Sequence, residues 1–288
     1  MALKRELAAA VAIPIVLAVL FLAPPIAFNL LVAVVALCAL WEFFRLAERT
    51  GYPAAKTVGI LASAPILLWA AVAFEGEVVL RVSPDSFWIF RSASSGSDCG
   101  RYTLSFLLLL VALSALAPLF SRVAPSAALG GAASTVFGVF LIPLPAVSFC
   151  YLRSFSPRAV VYLFGVVWIC DACAYYGGRR WGRRKLAPTV SPNKTWEGTI
   201  AGFVGATAFG AAAGAWTLLP QLGPWRGALA GALVSSAGQL GDLVESLWKR
   251  GAGVKDSGVF LPGHGGVYDR VDSLLFAGPV LAAFVATL

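Results

Sequence analysis

The segment from Ser246 to Asp272 combines the residue types that bind metal ions and phosphate groups. It contains four cations, three aspartates and the chain's only histidine, set among glycines. Carboxylate oxygens are preferred ligands of hard divalent cations, and ammonium and guanidinium groups bind phosphate oxygens. Apolar segments flank this stretch on both sides, so we expect substrates that come partly from water and partly from lipid. The side chains concerned are Lys249, Arg250, Lys255, Asp256, His264, Asp269, Arg270 and Asp272.

The glycine-rich turn of this segment predicts a place where the main chain approaches an anion. Gly265 and Gly266 have no side chains, so backbone N–H groups can come close to a phosphate there. His264 has two interpretations from the sequence, contact with phosphate or ordering of the turn. Asp269 and Asp272 are three residues apart and share a face of any helix that begins there.

A second group of acids lies upstream, in an apolar segment. Asp242, Glu245 and Lys249 follow i, i+3, i+7 spacing and lie along one helical stripe, beside Ser246. The structural interpretation is a salt-bridge ladder. Because charged side chains in a membrane are costly and usually functional, we favour a role in the site.

Asp171 is a further acid within an apolar segment. It shares a helix face with Tyr175, and a run of cations follows it, from Arg179 to Lys185. Pairing with a nearby arginine for helix packing is the structural alternative, and we favour function because so many cations follow. Only one membrane-segment acid, Glu42, lies in the first half of the chain.

The stretch Ser191-Pro-Asn193-Lys194-Thr195-Trp-Glu197 leads into the next apolar segment. Ser191, Thr195 or Glu197 can cap or charge-complement a helix start, and a helix N-terminus with a lysine beside it is an anion site. Lys194 therefore either contacts a phosphate or is only a lysine facing the cytoplasm. The Walker A pattern of P-loop nucleotide-binding proteins does not occur.

The elements that position these residues are predicted to be membrane helices. Hydrophobic residues make up 59% of the chain, charged residues 12%, and mean hydropathy is +0.82. Water-soluble domains carry about 25% charged residues, so a soluble protein is excluded. We predict an all-α, polytopic membrane protein of one domain, with a mainly apolar half at 1–150 and a catalytic half at 151–288. About nine spans are expected, at 8–23, 26–44, 58–74, 104–120, 133–151, 158–176, 198–219, 225–247 and 273–288.

The N-terminus resembles a signal peptide, with Lys4-Arg5 before an apolar run, but the run's length favours an uncleaved first helix. Alternating nine spans from a cytoplasmic N-terminus puts most of the 22 Lys and Arg residues in the cytoplasm. The charged loop and a polar cavity between helices are then expected to face the cytoplasm. The cysteines suggest no disulfide framework, and Cys170-Asp-Ala-Cys173 is interpreted as two buried thiols.

The motifs resemble the signature of CDP-diacylglycerol synthases, also called phosphatidate cytidylyltransferases. The pattern Ser-x-apolar-Lys-Arg, then Lys-Asp, then Pro-x-His-Gly-Gly-apolar-x-Asp-Arg-apolar-Asp is matched from Ser246 to Asp272, with Trp248 where an aliphatic residue or Phe is usual. The segments at 171–180 and 191–198 are similar to family segments as well. Residues 1–150 are similar by hydropathy alone.

This resemblance implies transfer of CMP from CTP to phosphatidic acid, with Mg²⁺ required and a monovalent cation such as K⁺ as a family-level option. It implies that Asp242 and Asp269 hold the metal, and the charge of the site makes Asp171 and Asp272 further candidates. The expected catalytic residues are Lys249, Arg250, Lys255, Asp256, His264 and Arg270. The expected substrate-binding residues are Tyr175, Ser191, Asn193, Lys194, Ser246, Gly265 and Gly266.

Two other functions are open from the sequence. A CTP-dependent kinase of a polyprenol or similar lipid would release CDP rather than pyrophosphate. An ion or lipid transporter would also place acids in the membrane, but inverted repeats are absent and the charge clusters on one face. The expected partners are CTP, phosphatidic acid and the bilayer of the inner membrane, without nucleic acid, and a homodimer is left open.

Overall fold

The structure is a computed structural model that describes residues 14–74, 98–121, 123–258 and 265–288. These residues are largely helical, beginning with a short helix at 14–22. The longer helices are α1 (Pro25–Arg49), α2 (Lys56–Ala73), α3 (Asp98–Leu116), α4 (Pro125–Leu141), α5 (Pro143–Phe155), α6 (Pro157–Trp181), α7 (Trp196–Ala212), α8 (Gly223–Gly251) and α9 (Tyr268–Val285). One antiparallel hairpin, β1 (Lys185–Ala187) with β2 (Ser191–Thr195), connects α6 to α7.

Several apolar helices make this a multi-pass membrane protein. Within the described ranges, five helical stretches are long and apolar enough to cross a bilayer. They are Pro25–Arg49, Lys56–Ala73, Pro125–Phe155, Pro157–Trp181 and Trp196–Thr217. The predicted all-α membrane class is therefore confirmed for this part of the chain.

The remaining predicted spans have different outcomes, and the total of nine stays a prediction. The span at 104–120 corresponds to a shorter apolar helix, Ser105–Phe120. Those at 225–247 and 273–288 are helical but are not among the five stretches. The span at 8–23 lies partly outside the described residues.

Prolines mark where helices begin, because a proline in the first turn loses no intrahelical hydrogen bond. Residues 23 and 24 are not helical and α1 starts at Pro25, so Pro24-Pro25 separates two helices. Helix α6 begins similarly at Pro157, and the Ser156 hydroxyl caps it by accepting from the Arg158 N–H at 3.2 Å.

The chain forms two compact units, Met1–Cys150 with Asp256–Tyr268, and Tyr151–Lys255 with Asp269–Leu288. In the first, polar side chains connect neighbouring helices. The Asn29 amide donates to the Ala71 carbonyl at 3.0 Å, and the Thr135 hydroxyl accepts from the Ala55 N–H at 2.8 Å. Such bonds satisfy polar groups where water is scarce.

In the second unit, glycines allow α6, α7 and α8 to pack at backbone contact. A Cβ on Gly202 of α7 would lie 2.8 Å from the Cys170 carbonyl of α6. A Cβ on Gly210 of α7 would collide with the Gly227 carbonyl of α8, and the reverse also holds. Small residues at such crossings permit the close approach on which membrane helices depend for packing.

The end of α8 is tied to the hairpin. Gly253 has φ of 66°, and the Val254 N–H donates to the Lys249 carbonyl at 2.9 Å, which closes the helix end. Arg250 donates from Nε to the Val190 carbonyl of the hairpin turn at 3.2 Å and from Nη1 to the Val254 carbonyl at 3.3 Å. The second unit therefore holds the hairpin against α8.

We predict that Gly227→Ala destabilises the protein by about 1–3 kcal/mol, because the added methyl group overpacks the α7–α8 crossing. Gly238→Ala is the matched control, since its Cβ would meet its nearest neighbours at 3.7 Å, an ordinary contact. Thermal unfolding in detergent measures both. A Gly227→Ala protein as stable as Gly238→Ala would contradict this account of the crossing.

Candidate active site

Three carboxylates of the second unit converge at the end of α8 and the start of α9. Asp242, Glu245 and Asp272 each offer an oxygen, and these oxygens all lie within 4.8 Å of one another. Glu245 is 1% exposed, whereas the other two are half-buried. Like charges this close repel strongly in a medium of low dielectric constant, so the group requires cations nearby.

Lys249 supplies one of these cations and connects α8 to α9. Its Nζ lies 2.5 Å from Glu245 Oε2, one helical turn away, and 2.8 Å from Asp269 Oδ1. Burial by itself would lower the pKa of the Lys249 ammonium, but Asp269 and Glu245 outweigh it and the pKa is raised. The lysine therefore stays charged at neutral pH.

Lys194 supplies a second cation, from the hairpin. Its Nζ lies 2.6 Å from Asp242 Oδ2. The lysine is held in place by its neighbour Thr195, whose hydroxyl accepts from the Gly198 N–H at 3.2 Å and so caps α7. Asp171 of α6 is near enough to interact electrostatically with both Asp242 and Lys194. The hairpin thus brings a cation to acids that are distant in sequence.

The acidic group fits a divalent cation. Glu245 Oε1 is buried and has no hydrogen-bond partner among the described residues. Burial, and then the charge of Asp242, raises the pKa of Asp272. The carboxylates outnumber the two lysines, and the Glu245 Oε1 atom has no hydrogen-bond partner in the described part of the chain. Such a set of oxygen donors suits Mg²⁺.

The other predicted residues occupy several positions. The Ser246 hydroxyl lies 3.3 Å from Asp242 Oδ1, and the Tyr175 hydroxyl lies 3.5 Å from Arg179 Nη1 on the exposed end of α6. Ser191 and Asn193 lie on β2, in the same strand as Lys194. Ser246 is therefore beside a carboxylate, and Ser191 and Asn193 share a strand with a site lysine, whereas Tyr175 is paired with an arginine.

The motif loop, residues 252–267 between α8 and α9, and Arg270 just beyond it divide between the two units. Lys255 and Arg270 are exposed side chains of the second unit, while Asp256, Gly265 and Gly266 belong to the first. Gly265 has φ of 79°, a backbone conformation that glycine adopts without strain. His264 lies outside the described residues, so both interpretations of it stay open.

Sequence reasoning favoured a role for the stripe that contains Glu245, but it named neither Glu245 nor Glu42 among the expected metal-binding, catalytic or substrate-binding residues. Glu245 lies on the stripe with Asp242 and Lys249, so helical spacing was the signal that could have included it. Glu42 stood out as the sole membrane-segment acid of the first half, but spacing gave no indication of its partners. Of the three candidate caps for α7, Thr195 is the one used, and Glu197 instead accepts from the Arg183 N–H at 3.0 Å.

Comparison with known proteins agrees with the family that the motifs resemble. The model of the cytidylyltransferase family matches residues 3–288. The chain is 32% identical over 302 aligned positions to the phosphatidate cytidylyltransferase of Haemophilus influenzae, covering 98% of this chain and 97% of that protein.

Other relatives match over a shorter region. The phosphatidate cytidylyltransferases of Brucella suis and Staphylococcus haemolyticus are 45% and 42% identical, over 52% of this chain. These alignments span little more than half of the relatives' own length, 56% and 57% respectively.

We predict that Mg²⁺ stabilises the wild-type protein and that Glu245→Gln removes most of this effect. At one hundred times the dissociation constant this stabilisation is about 2.7 kcal/mol, and the substitution takes away a buried ligand charge. Thermal unfolding with and without Mg²⁺ measures it. Glu48→Gln is the matched control, because Glu48 is exposed and pairs with Lys56. An unchanged Mg²⁺ effect in Glu245→Gln would argue against the carboxylate group as the metal site.

Proposed function

The chain belongs to the cytidylyltransferase family, and from this premise we propose that it transfers CMP from CTP to phosphatidic acid. The products are CDP-diacylglycerol and pyrophosphate, a step of phospholipid biosynthesis. The observation that carries the proposal is the group of Asp242, Glu245 and Asp272, with Lys194 and Lys249 bonded to its acids. Carboxylates and ammonium groups in contact suit a reaction in which two phosphate-bearing substrates meet.

The proposed reaction is an in-line displacement at the α-phosphorus of CTP. A phosphate oxygen of phosphatidic acid forms the new P–O bond, and the bond between the α-phosphorus and the bridging oxygen breaks to release pyrophosphate. Phosphate monoesters have a second pKa near 6, so the nucleophile is largely dianionic at neutral pH. The protein therefore need not supply a strong general base.

The main task of the protein is to neutralise charge, because two anions must come together. Lys194 and Lys249 lie nearest the carboxylate group, and on substrate binding their ammonium groups would turn to phosphate oxygens. Arg250, Lys255 and Arg270 would bind the remaining oxygens and the departing pyrophosphate. The residues proposed to contact the substrates are Tyr175, Ser191, Asn193, Ser246, Gly265 and Gly266, with His264 and Asp256 in the motif loop.

Mg²⁺ is proposed as the cofactor, and it would neutralise charge on the reacting phosphates. Asp242, Glu245 and Asp272 would hold it, on the grounds of their converging oxygens and the orphaned Glu245 Oε1. Asp269 is retained as a ligand on the family resemblance, and its bond to Lys249 places it beside the group. Asp171 interacts with Asp242 across α6 and α8 and would tune the charge of the site. K⁺ is kept as the candidate for a second, monovalent ion.

The proposed location is the inner membrane, with the site facing the cytoplasm, where CTP is available. The distribution of Lys and Arg supports this orientation.

The reaction is tested by incubating the purified protein with phosphatidic acid, Mg²⁺ and CTP labelled in the α- or γ-phosphate. We expect α-label in the lipid product and γ-label in pyrophosphate, because the bond at the α-phosphorus breaks. Labelled CDP together with a γ-labelled lipid would instead indicate a lipid kinase. No CTP consumption at all would leave transport as the better hypothesis.

We predict that Asp242→Asn and Asp269→Asn each abolish CTP-dependent turnover without unfolding the protein. Each change keeps side-chain volume but removes a carboxylate charge from the site. Turnover per folded molecule, with folding checked by thermal unfolding, gives the answer. Asp98 is distant in sequence from all motifs, and Asp98→Asn serves as the matched control. Near-normal activity in either variant would exclude that residue as a metal ligand.

A further inference from the structure

The motif loop has an anchor in the first unit, the buried side chain of Glu42. This glutamate lies in α1 and is 6% exposed. Its Oε2 accepts from the Ser257 hydroxyl at 2.8 Å and from the Tyr268 N–H at 2.9 Å, and its Oε1 accepts from the Val267 N–H at 3.1 Å. One carboxylate therefore binds the loop near both of its ends, two residues after Lys255 and at the first residue of α9.

The loop is shaped to receive this carboxylate. A Cβ on Gly258 would collide with Glu42 Oε1, and a Cβ on Gly266 would collide with Glu42 Oε2 and the Ser257 hydroxyl. A side chain at either position would therefore have to displace the Glu42 carboxylate or the Ser257 hydroxyl. The neighbouring Phe43 packs edge-on against Tyr268, with ring centroids 6.3 Å apart, so the anchor has an apolar part as well.

The partners of Glu42 show what the anchor does. Tyr268 is the first residue of α9, and Asp269 and Asp272 follow within the next turn. A helix leaves its first N–H groups without intrahelical partners, and a carboxylate there satisfies them and complements the helix dipole. Glu42 accordingly performs for α9 the task that a capping residue usually performs within the same segment.

We propose that Glu42 is a positioning residue of the active site. It binds the chain at Ser257, Val267 and Tyr268 and thereby fixes the first residue of α9, which Asp269 and Asp272 follow along the chain. It touches neither substrate nor metal in this role. The inference rests on the proposed function for its kinetic consequence, but the anchor itself is a property of the folded chain.

Glu42→Gln tests the proposal, because the amide keeps the shape but replaces one accepting oxygen with a donor group that opposes the loop N–H groups. We expect the Mg²⁺ concentration for half-maximal turnover to rise about tenfold, and turnover at fixed Mg²⁺ to fall about 10–100-fold, as for other residues that orient metal ligands. A merely smaller folded fraction would lower turnover at every Mg²⁺ concentration without moving this midpoint. Glu48→Gln, on the same helix, is the control and should retain the wild-type midpoint.

Amide hydrogen exchange without substrate or metal gives a second, independent measurement. In Glu42→Gln the amides of Val267 and Tyr268 should exchange at least about tenfold faster than in the wild type, while those in the middle of α8 are unchanged. Gly258→Ala should produce the same local change by displacing the carboxylate. Its effect should not add to that of Glu42→Ala, because both changes remove the same contact.

The outcomes distinguish the role of Glu42 from the proposed enzymatic function. Any of three results would overturn the role of Glu42. They are wild-type exchange rates at both amides in Glu42→Gln, an unchanged Mg²⁺ midpoint in that variant, and full additivity of Glu42→Ala with Gly258→Ala. If the wild-type protein does not turn over CTP and phosphatidic acid, the proposed function fails. Faster exchange in Glu42→Gln would then still establish the anchor.

Discussion

The second unit depends on neutralising acids that have been taken out of water. Lys249 is central, because its ammonium group bonds to Glu245 within α8 and to Asp269 in α9 and so joins the two helices. Removing one partner of such a buried pair typically costs about 3–5 kcal/mol, since the other charge is left uncompensated. The arrangement is thus a strong constraint on how α8 and α9 meet, and it keeps the carboxylates in place before any ligand arrives.

Close helix packing makes that arrangement possible. Glycines on α7 and α8 bring the two backbones into contact, and α6 meets α7 in the same way at Gly202. The hairpin between α6 and α7 is short and is tied to the end of α8 through Arg250, so Lys194 arrives at Asp242 with little freedom. The motifs of the second half, which lie far apart in the sequence, are in this way brought together by close helix packing and by the bond from Arg250 to the hairpin.

The features that depend only on neighbouring residues or on composition could be predicted from the sequence. Helical spacing correctly put Asp242, Glu245 and Lys249 on one stripe, and composition identified a membrane protein. Local patterns could not choose among partners on different elements. The sequence left two interpretations of Lys194 open and named both Asp269 and Asp272 as metal candidates. In the structure Lys194 bonds to Asp242, and Asp272 belongs to the converging carboxylate group. Both outcomes depend on which helix faces which.

The sequence by itself determined the class of protein, the residues capable of chemistry and, through the motif from Ser246 to Asp272, the family. These properties follow from composition, period and order along the chain, which need no knowledge of packing. Only the tertiary structure decided that Glu245 belongs with the metal candidates and that Glu42, more than 200 residues away in sequence, caps the helix that carries Asp269. The reason is physical: a buried carboxylate takes its partners from whatever the fold places against it, and no local spacing encodes them.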